Sequence, residues 1–280
     1  MLSGLVVVDK AAGWTSHDVV AKCRGIFGQK RVGHAGTLDP DATGVLLVGL
    51  GGVTRLLRFL TPLRKTYTGE VVLGTETSTL DASGEVTATH AMGGVTVEAV
   101  RAAAAGLVGD ILQVPPMVSA VQVGGKRLHQ LARAGVEVER EPRPVTVFRY
   151  DVVGEREPGV FAVEVECSSG TYVRSLAADV GTALGGGAHL RNLCRTAVGS
   201  FTVADGVSVE SLDESRVLPP ALVMRDYPFG TITANEVVAA GHGKKLEARD
   251  EGTWAALDGD GRLIAVYDGA KPSVVMAPAS

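Results

Sequence analysis

The run GVLLVGLG at residues 44–51 is apolar throughout, and the loop feeding it, RVGHAGTLDPDAT at 31–43, carries glycines at 33 and 36 and a proline at 40. This pairing constrains the fold most. A continuous apolar strand must be covered on both faces, so it belongs inside a sheet. Gly33, Gly36 and Gly44 allow backbone angles that other residues resist, while Pro40 fixes its own φ and restricts Asp39 before it. Two carboxylates, Asp39 and Asp41, flank that proline. Taken alone, an Asp-Pro of this kind reads as a turn in which the acid caps its own backbone. The competing reading is catalytic.

Around this loop the chain alternates strand and helix signals without strict βαβ order. GLVVVDK at 4–10 reads as a buried strand, and Ser16 as the N-cap of a helix through Phe27 with Val19, Val20, Cys23, Ile26 and Phe27 on one face. VTRLLRFL is a short helix ended by Pro62, KTYTGEVVLGTET a strand, LDASGE a turn between strands, and TVEAVRAAAAGLVG a helix. ILQVPPMVSAVQVGGKRLHQLARAG gives strand, proline break, strand, glycine turn and helix. RPVTVFRYDVVGEREPGVFAVEVECSSG reads as a hairpin, TYVRSLAADVGTAL as a helix, and GGGAHLRNLCRTAVGSFTV as extended chain. These signals predict an α+β fold with a mixed, largely antiparallel central sheet flanked by helices. Prolines cluster in LPPALVMRDYPF, and the texture changes after it. A boundary is expected near residue 228, giving domains 1–227 and 228–280, the second small and β-rich with a helix in TANEVVAAG and a hairpin across GTWAALDGDGRLIAVYDG.

With 280 residues, 45% of them hydrophobic, the chain can bury a substantial core. Cys23, Cys167 and Cys194 are odd in number and far apart, which suits a reducing compartment and no CxxC zinc pair. MLSGLVVVDK lacks a basic region before a long apolar run, and no apolar run spans a bilayer, so a soluble cytoplasmic protein with no membrane partner is expected. The net charge of −4 disfavours polyphosphate partners, yet residues 1–70 carry nine Lys and Arg against five Asp and Glu. Composition alone leaves open whether a locally basic face forms on this acidic chain.

Several motifs fail on inspection. DGDGRLIAVYDG opens like a calcium loop, but Arg262 stands at the fifth position and Gly269 where the bidentate acid belongs. VGLGGVT misses the last glycine of a dinucleotide fingerprint, no P-loop is present, and the histidines form no HExxH, so neither metal nor cofactor is expected. Asp39-Pro40-Asp41-Ala42-Thr43 spells DxDxT, which resembles the haloacid-dehalogenase nucleophile motif. That chemistry needs an apolar strand before the first acid, and here the strand comes after it.

A wider match covers residues 4–205. GHAGTLDPDATGVLLVGLG resembles the active-site segment of TruB-type tRNA pseudouridine synthases, pattern GHxGxLDPxAxGxL. DKAAGWTSHDVV, RKTYTGEVVLGTETSTLDASGE, SSGTYVRSLAADVG and GAHLRNLCRTAVGSF resemble further segments of that family in the same order, and residues 228–280 resemble more weakly its PUA-type RNA-binding module. The resemblance implies the pseudouridine synthase fold and an enzyme that isomerises uridine to pseudouridine at position 55 in the T-loop of tRNA. It implies base flipping, no cofactor, and no obligatory protein partner. The alternative is a non-catalytic tRNA-binding or tRNA-folding protein on the same scaffold.

By the same resemblance Asp39 matches the catalytic acid, with Asp41 facing the loop or RNA. Arg174 matches the arginine that pairs with that acid and keeps it ionised. Tyr67 matches the tyrosine against the target uracil, and Tyr172 and Leu193 match residues lining the same pocket. His34 matches a histidine that enters the RNA loop near the flipped base. Lys30, Arg31, Arg64, Lys65, Lys126 and Arg127 are candidates for RNA phosphate contacts.

Overall fold

A computed structural model describes residues 2–119, 122–123, 126–128, 136 and 138–276. The first elements are β1 (Gly4–Lys10), α1 (Ser16–Ile26), β2 (Val32–Ala35), β3 (Thr43–Leu50) and, after a 3-10 turn at Gly51–Arg55, α2 (Leu57–Leu60). There follow β4 (Lys65–Leu73), β5 (Thr75–Thr77), β6 (Val86–Thr89), α3 (Val97–Ala105), β7 (Gly109–Gln113), β8 (Gln122–Val123) and β9 (Lys126–Arg127). Next come β10 (Arg143–Glu157), β11 (Val160–Cys167), α4 (Val173–Ala183), β12 (Ala188–Val198), β13 (Phe201–Thr202) and α5 (Pro220–Val223). The chain ends with β14 (Phe229–Thr231), α6 (Ala234–Gly241), β15 (Thr253–Leu257), β16 (Leu263–Asp268) and β17 (Lys271–Val275). The helix expected in RLHQLARAG falls largely on residues outside those described. Two compact units emerge: residues 1–40, 44–63 and 197–280, and residues 41–43 and 64–196.

In the first unit β3 is flanked by antiparallel β1 (Lys10 opposite Gly44) and β2 (Ala35 opposite Leu47). Leu46, Leu47 and Val48 have no exposed surface, and each contributes roughly 1.5–3 kcal/mol of burial. The outer edge of β1 is covered by the returning chain, with Leu5 and Leu218 exchanging two backbone hydrogen bonds. Gly36 and Gly44 adopt φ of 84° and 97°, as the loop requires. Gly33 does not. It faces Gly49 across the β2–β3 ladder, and a Cβ on either would press on Leu57 of α2, so its function is room for a leucine.

Thr15, not Ser16, caps α1. Its side chain accepts from the Asp18 N–H while Asp18 accepts from the Thr15 N–H, a closed capping box. Ser16 is the next residue on and is buried.

The position expected as a boundary, near residue 228, lies within this first unit at the start of β14. The sheet order there is β14-β15-β16-β17, with β14 and β15 parallel. One set of its residues, including Trp254, Ala256 and Tyr267, packs on α6 side chains Val237 and Ala240. Another, Ala255, Leu263, Val266 and Val274, joins the cluster of Leu5, Leu47 and Leu60. In the turn joining β15 to β16, Asp258 accepts from the backbone of Asp260 and Arg262 and from the Arg262 guanidinium. That is the hairpin read from the sequence.

In the second unit the order is β12-β4-β11-β10-β7, antiparallel from β4 through β7, and the long β10–β11 hairpin matches expectation. Helices α3 and α4 contribute Val100, Ala104, Val173, Leu176 and Val180 to a core with Val71, Phe161, Val163 and Val165. Strands β5 and β6 pair across the LDASGE turn, as expected. Among the described residues no helix is long and apolar enough to cross a membrane.

Candidate active site

Asp39 lies in the 36–42 loop between β2 and β3 and is half-buried, whereas Asp41 is exposed. The residues on either side of Asp39 are both tied down. Ser16 Oγ accepts from the Leu38 N–H (2.9 Å) and donates to the Leu38 carbonyl (3.2 Å). The Pro40 carbonyl accepts from Lys10 Nζ and from the Gly13 N–H, each at 2.9 Å. Lys10, 1% exposed, also donates to the carbonyls of Ala11 and Trp14. One buried ammonium thus gathers three carbonyls into a ring beneath the loop. Neither role is visible in the sequence, where Lys10 reads as the end of a strand and Ser16 as a cap.

His34, on β2, is half-buried and packs edge-to-face with His17, ring centroids 5.5 Å apart. Lys30 and Arg31 are exposed at the other end of β2 from the Asp39 loop, with Arg31 Nε donating to Thr54 Oγ1.

The second unit holds Tyr67, Tyr172, Arg174 and Leu193. Tyr67 and Leu193 are half-buried against the same apolar cluster. Gly69 of β4 lies so close to Leu190 and Leu193 of β12 that a Cβ would touch both. Tyr172 stands at the N-cap of α4 without a side-chain cap. Gln113 holds the Tyr172 backbone: its amide accepts from the Tyr172 N–H (2.7 Å) and donates to the Tyr172 carbonyl (3.1 Å).

Arg174 is 3% exposed. Its Nη1 donates to the Thr79 carbonyl (2.7 Å) and lies 3.4 Å from Asp81 Oδ2; its Nη2 donates to the Val118 carbonyl (2.8 Å). Asp81 is itself fixed, accepting from Thr79 Oγ1 and from the N–H and hydroxyl of Ser83. The sequence marked this segment as a turn and as part of the family match, without giving its acid a role. Its acid is a guanidinium holder, and no periodicity signals that.

One of the phosphate candidates needs revision. Lys65 is 5% exposed on β4, opposite Cys167 of β11, so it is not a surface cation. Burial, then the nearby Arg195, lowers its pKa to about 8, and burial raises the Cys167 thiol to about 11. Arg64 is exposed but already lies over the Phe148 ring and 3.3 Å from Glu166. The side chains of Lys126 and Arg127 are outside the described residues. Among those described, no group of three or more His, Cys, Asp or Glu is arranged to hold a metal ion.

Chemically, the first unit offers a carboxylate on a rigid loop, and the second an aromatic face and an immobilised guanidinium. The family profile "TruB family pseudouridylate synthase (N terminal domain)" matches residues 24–173, and "tRNA pseudouridylate synthase B C-terminal domain" matches 174–219. A tRNA pseudouridine synthase B of Rhodococcus jostii is 48% identical, covering 98% of this chain and 93% of its own. One of Mycobacterium tuberculosis is 45% identical over 94% and 91%. Among solved structures, a Cbf5-Nop10-Gar1 complex contains a chain similar to this one at 26% identity and TM-score 0.76, covering 99% of this chain and 85% of that one.

Proposed function

From the premise that this chain belongs to the TruB family of pseudouridylate synthases, we propose that Asp39 is the carboxylate with which it isomerises uridine in tRNA. The protein is an isomerase that acts on tRNA. The reaction breaks N1–C1′ and joins C5 to C1′; the C5 proton leaves, N1 gains one, and no atom is gained or lost overall. It therefore calls for positioned groups rather than an external reductant or energy source. A carboxylate serves it as nucleophile or as electrostatic stabiliser.

The observation that carries this reading is the bracing of Leu38 and Pro40. A reacting oxygen is useful only when its position is fixed in advance, and here the backbone on both sides of Asp39 is fixed by buried donors. The remaining roles follow the family match. Tyr67 offers its ring to the extruded uracil, replacing stacking worth roughly 1–3 kcal/mol. Tyr172 and Leu193 line the same pocket, His34 enters the RNA loop, and Arg174 keeps the catalytic carboxylate ionised. The substrate uridine is position 55 of the T-loop, recognised by shape and unstacked bases. Exposed Lys30 and Arg31 serve the phosphate backbone.

In this reading residues 1–227 carry catalysis and 228–280 form the PUA-like RNA-binding part, supported by the apolar cluster that β15 and β16 form with α6. Three unpaired cysteines and a tRNA substrate fit the cytoplasm. The test is tritium release from tRNA labelled at uridine C5. Release is expected from wild-type tRNA and none from tRNA with cytidine at position 55; equal release from both would overturn the assigned position, and binding without release would favour a non-catalytic tRNA-binding role.

A further inference from the structure

His17 is the second residue of α1 and is exposed, while its ring meets the half-buried His34 at 5.5 Å with planes 82° apart. This edge-to-face geometry is one that aromatic rings favour. The backbone beneath both rings belongs to one hydrogen-bonded assembly. Ser16, immediately before His17, is bonded twice to Leu38 in the loop that follows β2. Thr15 and Asp18, on either side of the Ser16–His17 pair, close the capping box that fixes the first turn of α1. The backbone at His17 is therefore tied to the chain that follows β2, and from it the His17 ring packs against the His34 imidazole.

We propose that His17 is a positioning residue for tRNA binding, holding the His34 ring in the orientation in which it enters the RNA loop. The proposal rests on the reading of this chain as a T-loop uridine isomerase with His34 as an RNA contact. A half-exposed imidazole without a neighbour loses rotamer freedom on binding; one already packed against a second ring has lost it beforehand, which favours the complex. The effect belongs in affinity, because His17 touches no reacting atom.

The test measures tRNA dissociation constant, KM and kcat by filter binding and C5-tritium release for wild type, His17→Ala, His17→Phe, His34→Ala and the double variant His17→Ala/His34→Ala. His17→Ala is expected to raise Kd and KM about fivefold with kcat within about twofold, as an edge-to-face pair implies. His17→Phe, which keeps a ring but no nitrogen, is expected to restore most of the affinity. In the His34→Ala background the loss of His17 is expected to cost less than about twofold, because its target is gone. Unchanged affinity in His17→Ala, or a fivefold loss that persists without His34, overturns the proposal. A wild type that binds tRNA and releases no tritium overturns the isomerase reading, and the Kd series still decides the role of His17.

Discussion

In the first unit, the Asp39 loop is held through its backbone: Ser16 brackets Leu38, and Lys10 with Gly13 takes the Pro40 carbonyl. In the second, Gln113 brackets the Tyr172 backbone in the same two-bond manner, but Arg174 is also gripped by its own guanidinium at Thr79, Val118 and Asp81. The contrast follows from side-chain length. An aspartate is short, so fixing its neighbours confines its carboxylate to a small region. An arginine has four rotatable bonds, and a fixed backbone alone would leave its charge free to wander. The backbone clamps set where the acid stands, and the longer cationic side chain of Arg174 is held at its tip as well.

Each substitution below tries to break that contrast. Arg174→Met takes the guanidinium donors from the half-buried Thr79 and Val118 carbonyls and the cation from Asp81. It is expected to cost about 3 kcal/mol in urea unfolding and on the order of 100-fold in kcat. A stable, active Arg174→Met would remove the need for a gripped guanidinium. Ser16→Ala strips both partners from the buried Leu38 backbone; about 2 kcal/mol of stability and about tenfold in kcat should be lost, with tRNA affinity retained. Gln113→Ala is expected to lose similar stability and only about twofold in kcat, because the guanidinium keeps its own partners. Equal kcat losses for Ser16→Ala and Gln113→Ala would erase the distinction.

The smallest effect concerns the buried Lys65. Its folded pKa, about 8, is below the ordinary lysine value, so between the two the unfolded chain binds a proton that the folded chain does not. Raising the pH through that window therefore favours the fold. Thermal melts should show wild type gaining stability relative to Lys65→Met from pH 8 to pH 10; parallel curves would contradict it.

The arrangement of elements was legible wherever periodicity or turn chemistry speaks, as in the β10–β11 hairpin, the apolar β3 and the DGDG turn. Family membership was legible because several segments match in order. The supports of the site were not. Ser16 and Thr15 are equally good cap residues, and only the reciprocal bond with Asp18 decides between them. Lys65 sits in a strand that alternates, and a lysine there reads as solvent-facing until the fold shows it beside Cys167 and Arg195. Asp81 and Gln113 are ordinary polar residues whose partners lie 93 and 59 positions away along the chain. Gly33 was read as a backbone need and turned out to be a packing need.

Single-turnover tritium release by Asp39→Asn, beside its tRNA dissociation constant, tests the account at its centre. The substitution keeps the loop and its size while removing the anionic oxygen. Release is predicted to fall by roughly 10⁴-fold or more with tRNA binding within about twofold of wild type. An Asp39→Asn variant that releases tritium at a rate near that of wild type would contradict the assignment of Asp39.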